Sequence, residues 1–166
     1  IPSILAVSAV HHHLIKTGNR GAVGLVVEAG DVWEVHHVAC LLAFGATAIN
    51  PYMALASIRT MKELGQIETE LTWEELRKNY VKAICAGLLK IFSKMGISTL
   101  QSYHGAQIFE VLGIDKSVVD KYFCGSVSRI GGLTLDDIAT EALSKHWRAF
   151  GQSRVEQKLL PEGGIY

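Results

Sequence analysis

Cysteine is scarce in this 166-residue chain, and charge is thin. The three cysteines, Cys40, Cys85 and Cys124, are odd in number and widely separated. That spacing fits neither a disulfide framework nor the C-x2-C clustering of zinc and iron–sulfur runs; it leaves buried free thiols in a reducing compartment. Charged residues make up 19% of the chain, with 16 basic against 16 acidic side chains, so the formal net charge is zero. No basic stripe with interleaved aromatics is present, which argues against nucleic acid as the main partner. The longest apolar run, "VACLLAFGATAI", has 12 residues, whereas a bilayer-spanning helix needs about 20. The opening "IPSILAVSAV" has no basic flank of the kind a signal peptide carries, and no N-x-S/T sequon occurs. These absences lead us to expect no membrane contact, and a place in the cytoplasm or an organelle interior.

What is there is apolar. Hydrophobic residues are 49% of the chain and the mean hydropathy is +0.23, enough to fill one core with apolar surface left over for something else to cover. "IPSILAVSAVHHHLIKTG" reads as a helix with Pro2 in its first turn and Gly18 as its stop. "AVGLVVEAG" (22–30) reads as a buried strand. "DVWE" (31–34) has capping-box form and opens a helix to about Phe44, ended by Gly45. "ATAINPY" (46–52) reads as a second strand, and "MALASIRTMKELG" as a helix. "TWEE" (72–75) caps a long amphipathic helix with Leu76, Tyr80, Ile84, Leu88 and Ile91 on one side, weakened at Gly87 and ended by Gly96. "ISTLQSY" (97–103) is a third strand candidate, and "GAQIFEVLGI" and "DKSVVDKYFCG" are two short helix candidates. "TLDD" (134–137) caps a last helix to about Phe150. Strands separated by helices predict an α/β fold, helix-rich and parallel, a partial (β/α) barrel-like arrangement. Three strands cannot close an eight-stranded barrel, and no strand precedes the first helix, so the pattern suits part of a larger domain.

The histidines raise the question of chemistry. His11, His12 and His13 are consecutive, and His36 and His37 adjoin. Adjacent helical residues point about 100° apart, so such runs fan outward and cannot converge on one ion. Helical metal pairs need i,i+3 or i,i+4 partners, and Val7, Ile15, Lys16 and Thr17 occupy those places. We expect no metal site here, and histidines at helix seams bonded to backbone; a composite site with one imidazole per helix is the alternative. The most site-like loop is "CGSVSRIGGLTLDD" (124–137). Ser126, Ser128, Arg129, Gly131 and Gly132 are candidates for an anion site, since glycine-freed N–H groups before a helix favour a phosphate or carboxylate that Arg129 could clamp; the alternative is a plain turn with Arg129 in an ion pair. A second polar cluster, Ser93, Lys94, Ser98, Thr99, Gln101, Ser102, Tyr103 and His104, surrounds the third strand candidate, whose C-terminal end (101–107) is where α/β folds place ligands. Neither nucleotide-binding glycine fingerprint and no G-x-S-x-G elbow is present, and no catalytic residue is assigned.

"IPSILAVSAVHHHLI", "VGLVVEAGDVWEVHHVACLLAFGATAINPY", "KNYVKAICAGLLKIFSKMGISTLQSYHGAQIFEVLGI" and "VVDKYFCGSVSRIGGLTLDDIATEAL" together closely resemble the large subunit of glutamate synthase, in the later part of its central domain. The resemblance runs from Ile1 to about Phe150 and departs at His104, where an arginine is expected. It implies two regions: 1–150 as the C-terminal part of the central domain, and 151–166, ending "GGIY", as a linker toward the FMN-binding domain. It further implies a parent enzyme that makes two glutamates from glutamine, 2-oxoglutarate and a reductant, either a nicotinamide cofactor or ferredoxin. That enzyme carries FMN and a 3Fe-4S cluster elsewhere in the chain and passes ammonia through an internal tunnel. No cofactor is expected in this segment, whose partners would be the amidotransferase and FMN domains of the same chain, in the cytoplasm or a plastid stroma. The expected role is to connect and hold those two domains; the competing role is a phosphate- or flavin-binding half-barrel using the 126–132 loop.

Overall fold

The computed structural model describes residues 1–151. Its elements run α1 (Ser3–Lys16), β1 (Val26–Glu28), α2 (Val35–Ala43), β2 (Ala48–Asn50), α3 (Tyr52–Glu63), α4 (Trp73–Met95), α5 (Leu100–Tyr103), β3 (Glu110–Ile114), α6 (Lys116–Tyr122), β4 (Val127–Leu133) and α7 (Leu135–Phe150), with a 3-10 turn at Arg20–Ala22. The fold is α/β and helix-rich. Its strands form two parallel pairs, β1–β2 and β3–β4, each bridged by one helix, α2 or α6, as parallel pairing requires. The expected linker at 151–166 lies outside the described residues, apart from Gly151.

The main core gathers Val7 of α1, Val27 of β1, Val38, Leu41 and Leu42 of α2, and Tyr103 of α5. Ile84, Leu88, Ile91 and Phe92 of α4 pack against it. A smaller cluster of Val118, Val119 and Phe123 takes Ile4 and Leu5 of α1 and Phe44 after α2. Helix α1 thus touches both clusters, and its fully buried Ser8 donates its hydroxyl to the Tyr122 carbonyl. Gly87 in the middle of α4 is there for contact: a Cβ would stand 2.6 Å from Cγ2 of Val35. The glycine that weakens the isolated helix lets α4 lie close against α2.

Four expectations fail locally. The strand expected at 97–103 is helix α5, because the Thr99 hydroxyl accepts from the Ser102 N–H (3.3 Å) and caps a helical turn. The helix expected over 105–114 gives way to β3, with left-handed Gly105 (φ 68°) and Gln107 (φ 55°) before it and Gly113 (φ 72°) within it. The loop expected at 126–132 is strand β4. "DVWE" makes no capping box: Glu34 is the N-cap without a side-chain cap bond, and Asp31 accepts from the Ser3 N–H of α1 at 2.9 Å. The boxes at Thr72/Glu75 and Thr134/Asp137 form as expected.

Gly87→Ala should gain up to about 1 kcal/mol of helix propensity and lose more to overpacking against Val35, for a net destabilisation of roughly 1–2 kcal/mol; chemical denaturation of wild type and variant measures the sign.

Candidate functional site

The histidine runs diverge, and each ring finds its own use. His11 faces the turn after α1, where its Nδ1 accepts from Nε of Arg20 at 2.9 Å. The same guanidinium donates to the Val23 carbonyl (2.8 Å) and the Gly45 carbonyl (2.9 Å). Gly45 has φ 110°, and a Cβ there would collide with the His11 ring, so both the backbone and the close approach require glycine. His12 lies edge-on to His11 with ring centroids 5.3 Å apart, while His13 is exposed. His37 reaches back across the start of α2. Its Nδ1 accepts from the Trp33 N–H at 3.1 Å, and its Nε2 lies 3.7 Å from Glu34. Nε2 of His36 sits 3.5 Å from the Cys40 thiol, and the ring meets Phe109 edge-on. Among the described residues, no group of three His, Cys, Asp or Glu side chains is placed to hold a metal ion.

The tertiary structure adds His104 to this seam. The Gly105 N–H donates to the Ala43 carbonyl at 2.7 Å, which brings the end of α5 against the end of α2. Burial, the Arg20 charge and the neighbouring His12 and His104 push His11 down to about 4. Burial also lowers His104, opposed by a bond to the Ala46 backbone and helped by Arg20. Nε2 of His104 and the hydroxyl of Tyr103 are buried without a partner among the described residues. The Arg20 charge thus helps lower both imidazoles while its Nε–H donates to His11. Sequence reading singled out neither Arg20 nor its partnership with His104, because no local spacing joins residues on three separate elements.

Burial raises the Cys40 thiol to about 11, the opposite of what a reactive thiolate requires.

The anion-site candidates are strung along a strand. The Ser126 N–H donates to the Phe123 carbonyl at 2.9 Å. Ser128 lies farther along β4, and Arg129 reaches the Glu110 carboxylate at 3.5 Å across the strand pair. Gly131 and Gly132 belong to β4, not to a turn. Gly132 allows close pairing, since a Cβ there would stand 2.5 Å from the Gly113 carbonyl oxygen. The N-terminus of α7 is taken up by its own box, in which the Asp137 carboxylate accepts from the Thr134 N–H and hydroxyl. The polar cluster at 101–107 begins within α5 and not at a strand end, so it does not occupy the usual ligand position of an α/β fold.

The Arg20 bond needs a lone pair on His11 Nδ1, so protonating His11 breaks it. A base with a lowered folded-state value leaves the unfolded chain holding more protons between about 6.5 and 4. The stabilisation is therefore present above pH 6.5 and lost as pH falls toward 4. With solvent screening discounted, the loss is roughly 1–2 kcal/mol. His11→Asn keeps an acceptor that does not titrate, so its thermal midpoint should fall less between pH 7 and pH 5 than that of wild type.

The family profile described as glutamate synthase central domain matches residues 1–115. The chain is 49% identical over 150 residues to the glutamate synthase [NADPH] large chain of Bacillus subtilis, covering 90% of this chain and 10% of that one. It is 47% identical over 166 residues to the chloroplastic/mitochondrial ferredoxin-dependent glutamate synthase 1 of Arabidopsis thaliana, covering 95% and 10%. To the glutamate synthase [NADH] of Schizosaccharomyces pombe it is 47% identical over 167 residues, covering 100% and 8%. The chain thus spans about a tenth of the length of these relatives. No helix among the described residues is long and apolar enough to cross a membrane. With the expected resemblance now matched over most of its length, the chain belongs to the glutamate synthase central-domain family.

Proposed function

We propose that this chain is a connecting segment of a glutamate synthase large subunit, bracing an amidotransferase domain and an FMN-binding domain and supplying no catalytic residue itself. Its partners on this reading are domains of the same polypeptide, with residues 1–150 forming the connector and 151–166 leading toward the FMN domain. FMN and the 3Fe-4S cluster belong to those other parts, and the compartment is the cytoplasm or a plastid stroma. The reaction served is the conversion of glutamine, 2-oxoglutarate and a reductant into two glutamates. A brace contributes by rigidity: ammonia released at one site reaches the other without escaping only if the separation is fixed and water is kept out.

One observation carries this reading. Large apolar side chains face outward. Leu143 (69% exposed), Trp147 (66%) and Phe150 (72%) form an i, i+4, i+7 stripe on α7. Leu112 and Ile130, register partners on β3 and β4, are each 60% exposed. Exposed apolar surface on this scale marks contact with another protein surface.

In the full-length enzyme, Leu143→Ser with Trp147→Ser should uncouple the two half-reactions. Glutamine hydrolysis should persist while glutamate formed per glutamine consumed falls below two, and free ammonia should appear. Unchanged stoichiometry in a folded double variant would remove the brace role from this face. His36→Ala in the same enzyme should leave the stoichiometry at two.

A further inference from the structure

The corner between α1 and β1 holds a cation without a charged partner. Arg20 is half-buried in the 3-10 turn Arg20–Ala22. Its three hydrogen bonds go to neutral acceptors: the His11 ring, the Val23 carbonyl and the Gly45 carbonyl. None of the ion pairs among the described residues includes it. The neighbouring rings register the same imbalance. Burial and the Arg20 charge lower both His11 and His104, and no carboxylate acts on either ring in the opposite direction. A cation drawn partly out of water gains more from a charged acceptor than from carbonyls alone.

Composition points the same way. The chain as a whole carries 16 basic and 16 acidic side chains, yet no Asp or Glu occurs from Ile1 to Val27, a stretch that holds Lys16, Arg20 and three histidines. The corner is therefore positive whatever the protonation of the rings. Exposed apolar side chains adjoin it in the chain, Ile15 (51% exposed) before the turn and Val23 (44%) after it. An arginine set among apolar residues with few other charges has the composition of a protein–protein contact. A guanidinium carries five N–H donors. Three are used in the bonds above, and the rest of the planar fork matches a carboxylate.

We propose that this corner is a docking point for an acidic side chain of another domain of the same enzyme, its carboxylate seated on Arg20. The inference rests on the chain being a segment of a longer glutamate synthase polypeptide, as the proposed function holds. The occupant is a protein carboxylate and not a free phosphate, because Ile15 and Val23 call for an apolar cover that a small hydrated ion does not provide.

The test uses the full-length enzyme. A cryo-electron microscopy map should place an Asp or Glu carboxylate from another domain within about 4 Å of the Arg20 guanidinium. Changing that acid to its amide leaves this segment's own sequence intact, and should speed hydrogen exchange of the Gly21 and Ala22 amides at least about tenfold. Water, an inorganic anion or a carboxylate from residues 1–166 at that place would overturn the proposal, as would unchanged exchange in the amide variant. Failure here leaves the connector reading standing if the glutamate formed per glutamine still depends on the α7 face. Loss of that dependence, with the carboxylate in place on Arg20, removes the connector reading alone.

Discussion

The Arg20 guanidinium is the fastener on which the rest of the arrangement depends. It gives three hydrogen bonds, to His11 of α1, to the carbonyl of Val23 just before β1, and to the carbonyl of Gly45 just after α2. A planar fork with fixed donors suits such a task, and a lysine could not replace it. Because α1 is held at this point, its other faces reach both apolar clusters. Burial, helped by the Arg20 charge, lowers both His11 and His104, and the His11 ring serves Arg20 as an acceptor.

The same economy holds across the chain. His37 reaches back to the Trp33 N–H ahead of α2, and Asp31, expected to cap that helix, instead accepts from Ser3 at the start of α1. Glycines 45, 87 and 132 each allow an approach that a Cβ would block: ring on backbone, helix on helix, and strand on strand. What remains unspent is apolar and faces outward, on α7, on the β3–β4 pair and along β1. On the proposed reading, these outward apolar groups are covered by neighbouring domains.

Much of this was legible in the order of residues. Long amphipathic spacing and Thr-x-x-Glu and Thr-x-x-Asp boxes located α4 and α7, because 3.6-residue periodicity and capping are local. The same locality explained why consecutive imidazoles cannot share an ion. Of the short elements between 97 and 133, α6 was legible and α5, β3 and β4 were not, since segments of four to seven residues carry too little periodicity to outweigh their neighbours. A threonine hydroxyl turned one apparent strand into α5, and pairing of β3 with β4 turned a helix and a glycine loop into strands.

The sequence by itself determined the α/β class, the parallel pairing implied by alternating elements and the family. Only the tertiary structure decided that Arg20 meets His11 and Gly45 and that Ser128 to Gly132 lie along a strand. Those outcomes depend on contacts between residues far apart in the chain, whose energies come from burial and hydrogen bonding across elements. No local pattern carries that information.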